Sequence, residues 1–152
     1  MAPTPYVAVI GPGEASPAEI EAAEQVGRGL AQAGAVVVCG GLGGVMAAAC
    51  RGAAAAGGMT IAILPGTDRG AANEWARVAI PTGMGEMRNV LVVRAADAVI
   101  AVGGAYGTLS EVALALKTAI PVVGIETWPI EGIVQAGTPA DAVQAALAAA
   151  GG

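Results

Sequence analysis

Short runs of valine and isoleucine alternate with longer helix-compatible segments along the whole chain, and glycine or proline soon follows each run. Such short runs, separated by segments long enough for a helix, are typical of a parallel sheet covered by helices on both faces. We therefore expect an α/β fold, a three-layer doubly wound parallel sheet, in a single domain spanning residues 1–152. The predicted strands are Tyr6–Ile10, Ala35–Cys39, Thr60–Leu64, Arg77–Pro81, Ala98–Val102 and Pro121–Ile125.

Capping residues predict where the helices begin. Ser16-Pro17 and Glu19 have the spacing of a capping box with proline at the first helical position, so the first helix is expected to start there and to end near residue 34. The other predicted helices cover about 45–56, 84–95 and 108–118, with a fifth after Thr138-Pro139.

Charged residues make up only 12% of the chain, about half the usual share. Residues 29–50 carry no charge, but six glycines interrupt them and no unbroken apolar run opens the chain, so we expect a cytoplasmic protein without a membrane partner. The net charge of −5 and the single lysine disfavour binding to the phosphate backbone of DNA or RNA. No nucleic-acid partner is expected.

The chain contains no histidine, which excludes Ser-His-Asp and Cys-His catalysis, HExxH zinc sites and a histidine general base. Cys39 and Cys50 lie eleven positions apart, without CxxC spacing. We expect them to be two buried thiols in a reducing compartment, and we predict no metal site.

Three of the turns after the predicted strands are rich in glycine: Gly11-Pro12-Gly13, Gly40-Gly41-Leu42-Gly43-Gly44 and Gly103-Gly104-Ala105-Tyr106-Gly107-Thr108. Glycine lets an anion approach peptide N–H groups, and a following helix adds the positive end of its dipole, so these turns indicate a phosphate-bearing ligand. Glycine also permits tight strand-to-helix turns that bind nothing. The turns match neither GxGxxG nor GxxxxGK[ST], which disfavours NAD, FAD and P-loop hydrolysis of ATP.

Arg88 and Glu111 are charged residues within otherwise apolar predicted helices. A guanidinium in such a position needs an anionic partner, and its planar fork suits carboxylate or phosphate. One interpretation of Glu111 is local, because Thr108-Leu109-Ser110-Glu111 is itself a capping box. The other is that Glu111 and Arg88 meet beside the glycine-rich turn. The two roles are compatible.

At these residues the chain resembles the LOG-like ("lysine decarboxylase-like") Rossmann proteins. Gly103-Gly104-x-Tyr106-Gly107-Thr108-x-x-Glu111 matches their GGxGTxxE signature, and Arg88 falls where they carry the arginine of an upstream motif. The resemblance implies a Rossmann-like nucleotide- or phosphate-binding domain with no decarboxylase activity and no required cofactor. Two branches are relevant: cytokinin-activating phosphoribohydrolases, and a shorter branch related to molybdenum cofactor carrier proteins and, more distantly, to the DNA-processing protein DprA.

Departures from the phosphoribohydrolase pattern favour the shorter branch. Val102 replaces the proline of PGGxGTxxE, Gly85 lies near the histidine of the upstream MHxRK-like motif, and Asn89 replaces its lysine. The pair that matches the catalytic arginine and glutamate, Arg88 and Glu111, is nevertheless present.

Two functions are therefore predicted as alternatives. The first is a binding or carrier protein for a nucleotide, phosphate or molybdopterin-type ligand, with Tyr106, Trp75 or Trp128 available to stack on a ring. The second is a nucleoside 5′-monophosphate phosphoribohydrolase that releases free base and ribose 5-phosphate, in which Glu111 stabilises an oxocarbenium-like state and Arg88 orients it. The predicted phosphate-binding residues are Gly11, Gly40, Gly41, Gly43, Gly44, Gly103, Gly104, Tyr106, Gly107 and Thr108.

A homodimer or higher homo-oligomer is also expected. So few charges leave much of a monomer's surface apolar, and the predicted helices from Met84 and from Thr108 are apolar enough to pack across a two-fold axis.

Overall fold

The computed structural model describes residues 2–152 and contains a seven-stranded, fully parallel sheet in the order β4-β3-β2-β1-β5-β6-β7. All six predicted strands are present, with first residues within one position of the predictions. The strands are β1 (Tyr6–Ile10), β2 (Val36–Cys39), β3 (Thr60–Leu64), β4 (Val78–Pro81), β5 (Ala98–Val102), β6 (Val122–Ile125) and β7 (Val134–Gln135). The sequence prediction missed β7, a pair of exposed residues on the edge of the sheet.

Five α-helices connect or follow the strands. They are α1 (Pro17–Gln32), α2 (Val45–Ala55), α3 (Asn89–Arg94), α4 (Tyr106–Lys117) and α5 (Pro139–Ala150). The predicted capping box of α1 forms, since the Glu19 amide donates to Ser16 Oγ at 3.2 Å and the Ser16 amide donates to Glu19 Oε1 at 2.9 Å. Within residues 2–152, none of the helices combines the length and apolarity that crossing a membrane requires.

The sheet is the middle layer of three. Strand residues with alternating orientation pack on opposite faces: Val7 and Val9 belong to the core under α1, α2 and α5, whereas Ala8 and Ile10 belong to the core under α3 and α4. The alternation follows from the two-residue period of a strand, and burial on both faces explains why the strands are almost wholly apolar. The fold is the predicted single-domain Rossmann-like α/β sandwich.

Two helix starts differ from the sequence prediction. The segment predicted as one helix over 84–95 begins with a 3-10 turn, Gly85–Arg88, and only then continues as α3, because Gly83 and Gly85 have φ of +65° and +60°. The helix predicted from residue 108 begins at Tyr106, with Ala105 as its N-cap. Thr108 is therefore inside the helix, and the capping box predicted with Glu111 does not form.

Candidate functional site

The turns after β2, β1 and β5 meet at the carboxyl edge of the sheet, because these three strands are neighbours. Between the turns lies a cleft of about 270 Å³. The order in which successive strands are added to the sheet reverses between β1 and β5, and such a switch point is where ligands bind in open parallel sheets. Of the predicted site residues, those that line the cleft are Gly11, Gly40, Arg88, Gly107, Thr108 and Glu111.

The other predicted glycines do not line this cleft, and several have a structural role. Gly41 and Gly44 have φ of +86° and +63°, and Gly43 is an exposed member of the same turn. Gly103 has φ of +67°, and a Cβ there would lie 1.6 Å from Glu19 Oε2, so the Glu19 carboxylate occupies the space beside it. A Cβ at Gly104 would lie 2.9 Å from Trp128 Nε1. These glycines serve tight turns and close packing.

Arg88 is buried at the side of the cleft, with 8% of its surface exposed. Its Nε donates to Ile63 O at 3.1 Å, Nη2 donates to Gly40 O at 3.2 Å, and Nη1 donates to Asn89 Oδ1. Within residues 2–152, no ion pair joins Arg88 to Glu111 or to any other carboxylate. The predicted pair thus lines one cleft without forming an ion pair, and the oxygens that accept hydrogen bonds from the guanidinium are all neutral.

Glu111 lines the same cleft from α4 and is also 8% exposed. Burial raises the pKa of its carboxyl to about 7, and the Arg88 guanidinium, which lowers it, offsets only part of that effect. At neutral pH the carboxyl is therefore divided between its protonated and ionised forms, a state suited to an acid or a base.

Thr108 provides a buried hydroxyl without a partner. The residue is 2% exposed, and its Oγ1 makes no hydrogen bond within the described part of the chain. It lies in the first turn of α4, whose amides have no intrahelical acceptor and receive no cap from the Ala105 side chain. A buried hydroxyl left in this state costs free energy unless a ligand or water satisfies it, so Thr108 and the α4 amides together suit an anion.

Two of the three aromatic residues considered for ring stacking lie next to this helix start. The rings of Tyr106 and Trp128 stack with centroids 6.2 Å apart, and Trp128 Nε1 donates to Ala105 O at 3.2 Å. Tyr106 is 84% exposed. Trp75 instead packs against Arg51, whose Cζ lies 5.4 Å from the centroid of the Trp75 ring. Trp75 does not line the cleft.

Sequence reasoning did not identify Asn89, Leu42 and Met46 as cleft residues. Leu42 and Met46 are apolar, and nothing in the sequence separates them from core residues. The sequence did contain an indication for Asn89, because this residue replaces the lysine of the motif that contains Arg88. The two cysteines are free and buried as predicted, with their sulfur atoms 3.5 Å apart.

The raised pKa of Glu111 makes the stability of the fold depend on pH. Unfolding lowers this pKa from about 7 to about 4.5, so the folded state holds the proton more tightly. We expect the contribution of Glu111 to be complete below about pH 4.5 and to be lost as the pH rises through about 7, a decline of about 3 kcal/mol. Urea unfolding across this range measures it.

Glu111→Gln, which mimics the protonated form, should remove most of this decline, whereas Glu14→Gln at an exposed position should preserve it. Parallel stability profiles for the wild type and Glu111→Gln would contradict the assignment.

Comparison with known proteins places the chain among relatives of nearly the same length. The family model LDcluster4, described as the SLOG cluster4 family, matches residues 4–149. An uncharacterized protein of Archaeoglobus fulgidus is 44% identical over 138 residues, which cover 90% of this chain and 91% of that protein.

Solved structures agree with this placement. The molybdenum cofactor binding protein of Rippkaea orientalis superposes with a TM-score of 0.92 at 35% identity, covering 97% of this chain and 98% of that one. The molybdenum cofactor carrier protein of Chlamydomonas reinhardtii superposes with a TM-score of 0.90 at 32% identity and the same coverage.

Proposed function

The chain belongs to the SLOG cluster4 family, and from this premise and the cleft we propose that it binds and carries a phosphate-bearing cofactor of the molybdenum cofactor type. The observation that carries the proposal is the buried Arg88 guanidinium, which has no carboxylate partner and lies in one cleft with the unpartnered Thr108 hydroxyl. The guanidinium lacks a counter-charge within hydrogen-bonding distance, and the hydroxyl lacks a hydrogen-bond partner. Bound phosphate would satisfy them together.

The residues present fit the phosphate of such a cofactor. Thr108 Oγ1 and the first-turn amides of α4 are donors for phosphate oxygens, and Arg88 contributes the opposite charge. Tyr106, exposed and stacked on Trp128, offers a flat face to the planar ring of the ligand next to the helix start. The protein then needs no catalytic group, since the cofactor brings its own chemistry.

The position of Glu111 defines a second candidate, the phosphoribohydrolase. Its buried carboxyl with a pKa of about 7 faces the cleft that holds Arg88, as a residue stabilising an oxocarbenium-like state would. The two candidates differ in one measurable product. Incubation with AMP and other nucleoside monophosphates releases free base only if the protein is a hydrolase, and release lost in Glu111→Gln would establish that function.

The carrier proposal is tested by thermal unfolding with inorganic phosphate, AMP and molybdenum cofactor released from a molybdoenzyme. A ligand at about 100 times its Kd should stabilise the fold by about 2.7 kcal/mol. Thr108→Val, which keeps the shape and removes the hydroxyl, should weaken binding about tenfold. The control Thr4→Val, at an exposed position far along the sequence from α4, should change nothing.

If none of the three compounds at millimolar concentration raises the unfolding temperature, the carrier proposal and its phosphate site are both wrong.

We also propose that two copies associate through the surface formed by the Gly85–Arg88 turn, α3 and α4. Met87 is 65% exposed and lines a mainly apolar groove of about 800 Å³. Met84, directly before the turn, and Leu91 on α3 are 45% and 38% exposed. Glu86 and Lys117 line the same groove, so a two-fold axis would allow Glu86 to face the partner's Lys117.

Light scattering should therefore give a dimer or larger assembly at micromolar concentration, and Met87→Glu should dissociate it. A wild-type monomer would contradict this.

A further inference from the structure

A chain of hydrogen bonds connects two of the three glycine-rich turns that border the cleft, the turn after β2 and the turn after β5. Arg88 Nη2 donates to Gly40 O at 3.2 Å, and Arg88 Nη1 donates to Asn89 Oδ1. Asn89 Nδ2 donates to Ser110 Oγ at 3.2 Å, which in turn donates to Gly107 O at 2.7 Å. Asn89 is 9% exposed, and both ends of its amide are used. Within residues 2–152, it is the only side chain that links Arg88 to α4 through hydrogen bonds.

The Asn89 amide also carries no charge, so it leaves the positive charge of Arg88 uncompensated. Every acceptor of Arg88 is neutral: two backbone carbonyls and the Asn89 amide oxygen. An aspartate at this position would accept the same hydrogen bond but would neutralise the guanidinium in a poorly solvated place. Within residues 2–152, the titratable groups whose charge interacts with Arg88 are Glu111 and Cys39. Burial keeps Glu111 partly protonated at neutral pH, and the hydrogen bond with Cys50 together with burial raises the pKa of the Cys39 thiol, which keeps it uncharged.

We propose that Asn89 determines which anions the cleft accepts: by holding Arg88 through a neutral amide and connecting it to Ser110, it selects a doubly charged phosphate monoester over singly charged anions. The inference rests on the proposed phosphate site and specifies its ligand class. Coulomb energy is proportional to the product of the charges, so a fixed unit charge beside the site changes the binding free energy of a dianion about twice as much as that of a monoanion.

The test compares methyl phosphate, a dianion at about pH 8, with dimethyl phosphate, which carries one charge. In Asn89→Asp, both esters lose the share that depends on the Asn89–Ser110 hydrogen bond. We expect calorimetry to show that methyl phosphate loses about tenfold more affinity than dimethyl phosphate, because the added charge acts about twice as strongly on the dianion. A purely structural lesion would instead weaken both by the same factor.

Two further variants make the result specific. Ser110→Ala breaks the connection to Gly107 without changing the charge, so both esters should lose affinity equally, by about fivefold. Gln25→Glu on α1 adds the same charge outside the cleft and should alter neither affinity. If Asn89→Asp does not fold, Ser110→Asp places the charge at an exposed position of the same chain of hydrogen bonds, and the dianion must again lose more.

The outcomes separate this inference from the proposed function. If the wild type binds neither ester, the proposed phosphate site is wrong. If the wild type binds both esters and Asn89→Asp loses affinity for each by the same factor, the proposed role of Asn89 is wrong and the proposed phosphate site stands.

Discussion

Arg88→Met is expected to lower the affinity for inorganic phosphate about 100-fold, which corresponds to about 2.7 kcal/mol. Among the described residues that line the cleft, Arg88 is the only cation, and the substitution replaces it with an apolar side chain of similar length. It also leaves Gly40 O and Ile63 O without their donor, at about 1–3 kcal/mol for each buried acceptor. Titration calorimetry measures the first effect and urea unfolding the second.

Two comparisons sharpen this prediction. Arg88→Lys keeps the charge but cannot reach two carbonyls and an amide at once, so it should recover only part of the affinity. Arg69→Met is the matched control, because Arg69 also donates to a backbone carbonyl, Ala79 O at 3.1 Å, but lies outside the cleft. Phosphate binding by Arg88→Met at the wild-type level would show that the anion does not use this guanidinium.

Gly27→Ala should destabilise the fold by about 3 kcal/mol or more. Helix propensity alone favours alanine by about 1 kcal/mol in the middle of α1, so the expected loss of stability comes from packing. A Cβ at Gly27 would lie 2.0 Å from Ala49 O, and one at Gly52 would lie 1.9 Å from Glu24 O. Both atoms belong to the backbone of the neighbouring helix, so α1 and α2 would have to move apart along their whole contact.

Chemical denaturation of Gly27→Ala and Gly52→Ala measures this effect, with Gly137→Ala as the control. A Cβ at Gly137 would meet no atom within 4 Å, and its stability should stay within about 0.5 kcal/mol of the wild type. Wild-type stability in Gly27→Ala would mean that the two helices do not cross this closely.

The strands were predicted well from the sequence because each is a short apolar run rich in valine or isoleucine and is soon followed by glycine or proline, and burial on both faces requires such apolar runs. β7 escaped prediction because two exposed residues carry no pattern. The start of α4 was predicted two residues too late for an instructive reason. Thr108 and Glu111 have capping-box spacing, but Ala105 already has extended backbone angles and begins the helix, so Thr108 lies within it.

The site was predicted less completely than the fold. Arg88 and Glu111 stood out because charge is rare in apolar segments, and both line the cleft. The glycines could not be divided into those that face a ligand and those that allow close packing, because that depends on neighbours distant in sequence, such as Glu19 beside Gly103. Two of the three acceptors of Arg88 are backbone carbonyls, 25 and 48 residues away, which no side-chain pattern reveals.

The central position of β1 also affects the order in which the protein is made. During synthesis, β1 can pair with β2, and the sheet can extend to β4, before residues 98–102 have been translated. Until then the other edge of β1 remains open, and the first glycine-rich turns have no counterpart from β5 and α4. The cleft is therefore completed only when the second half of the chain docks, so a ligand that needs the whole cleft binds after assembly of the sheet and does not guide the folding of its first half.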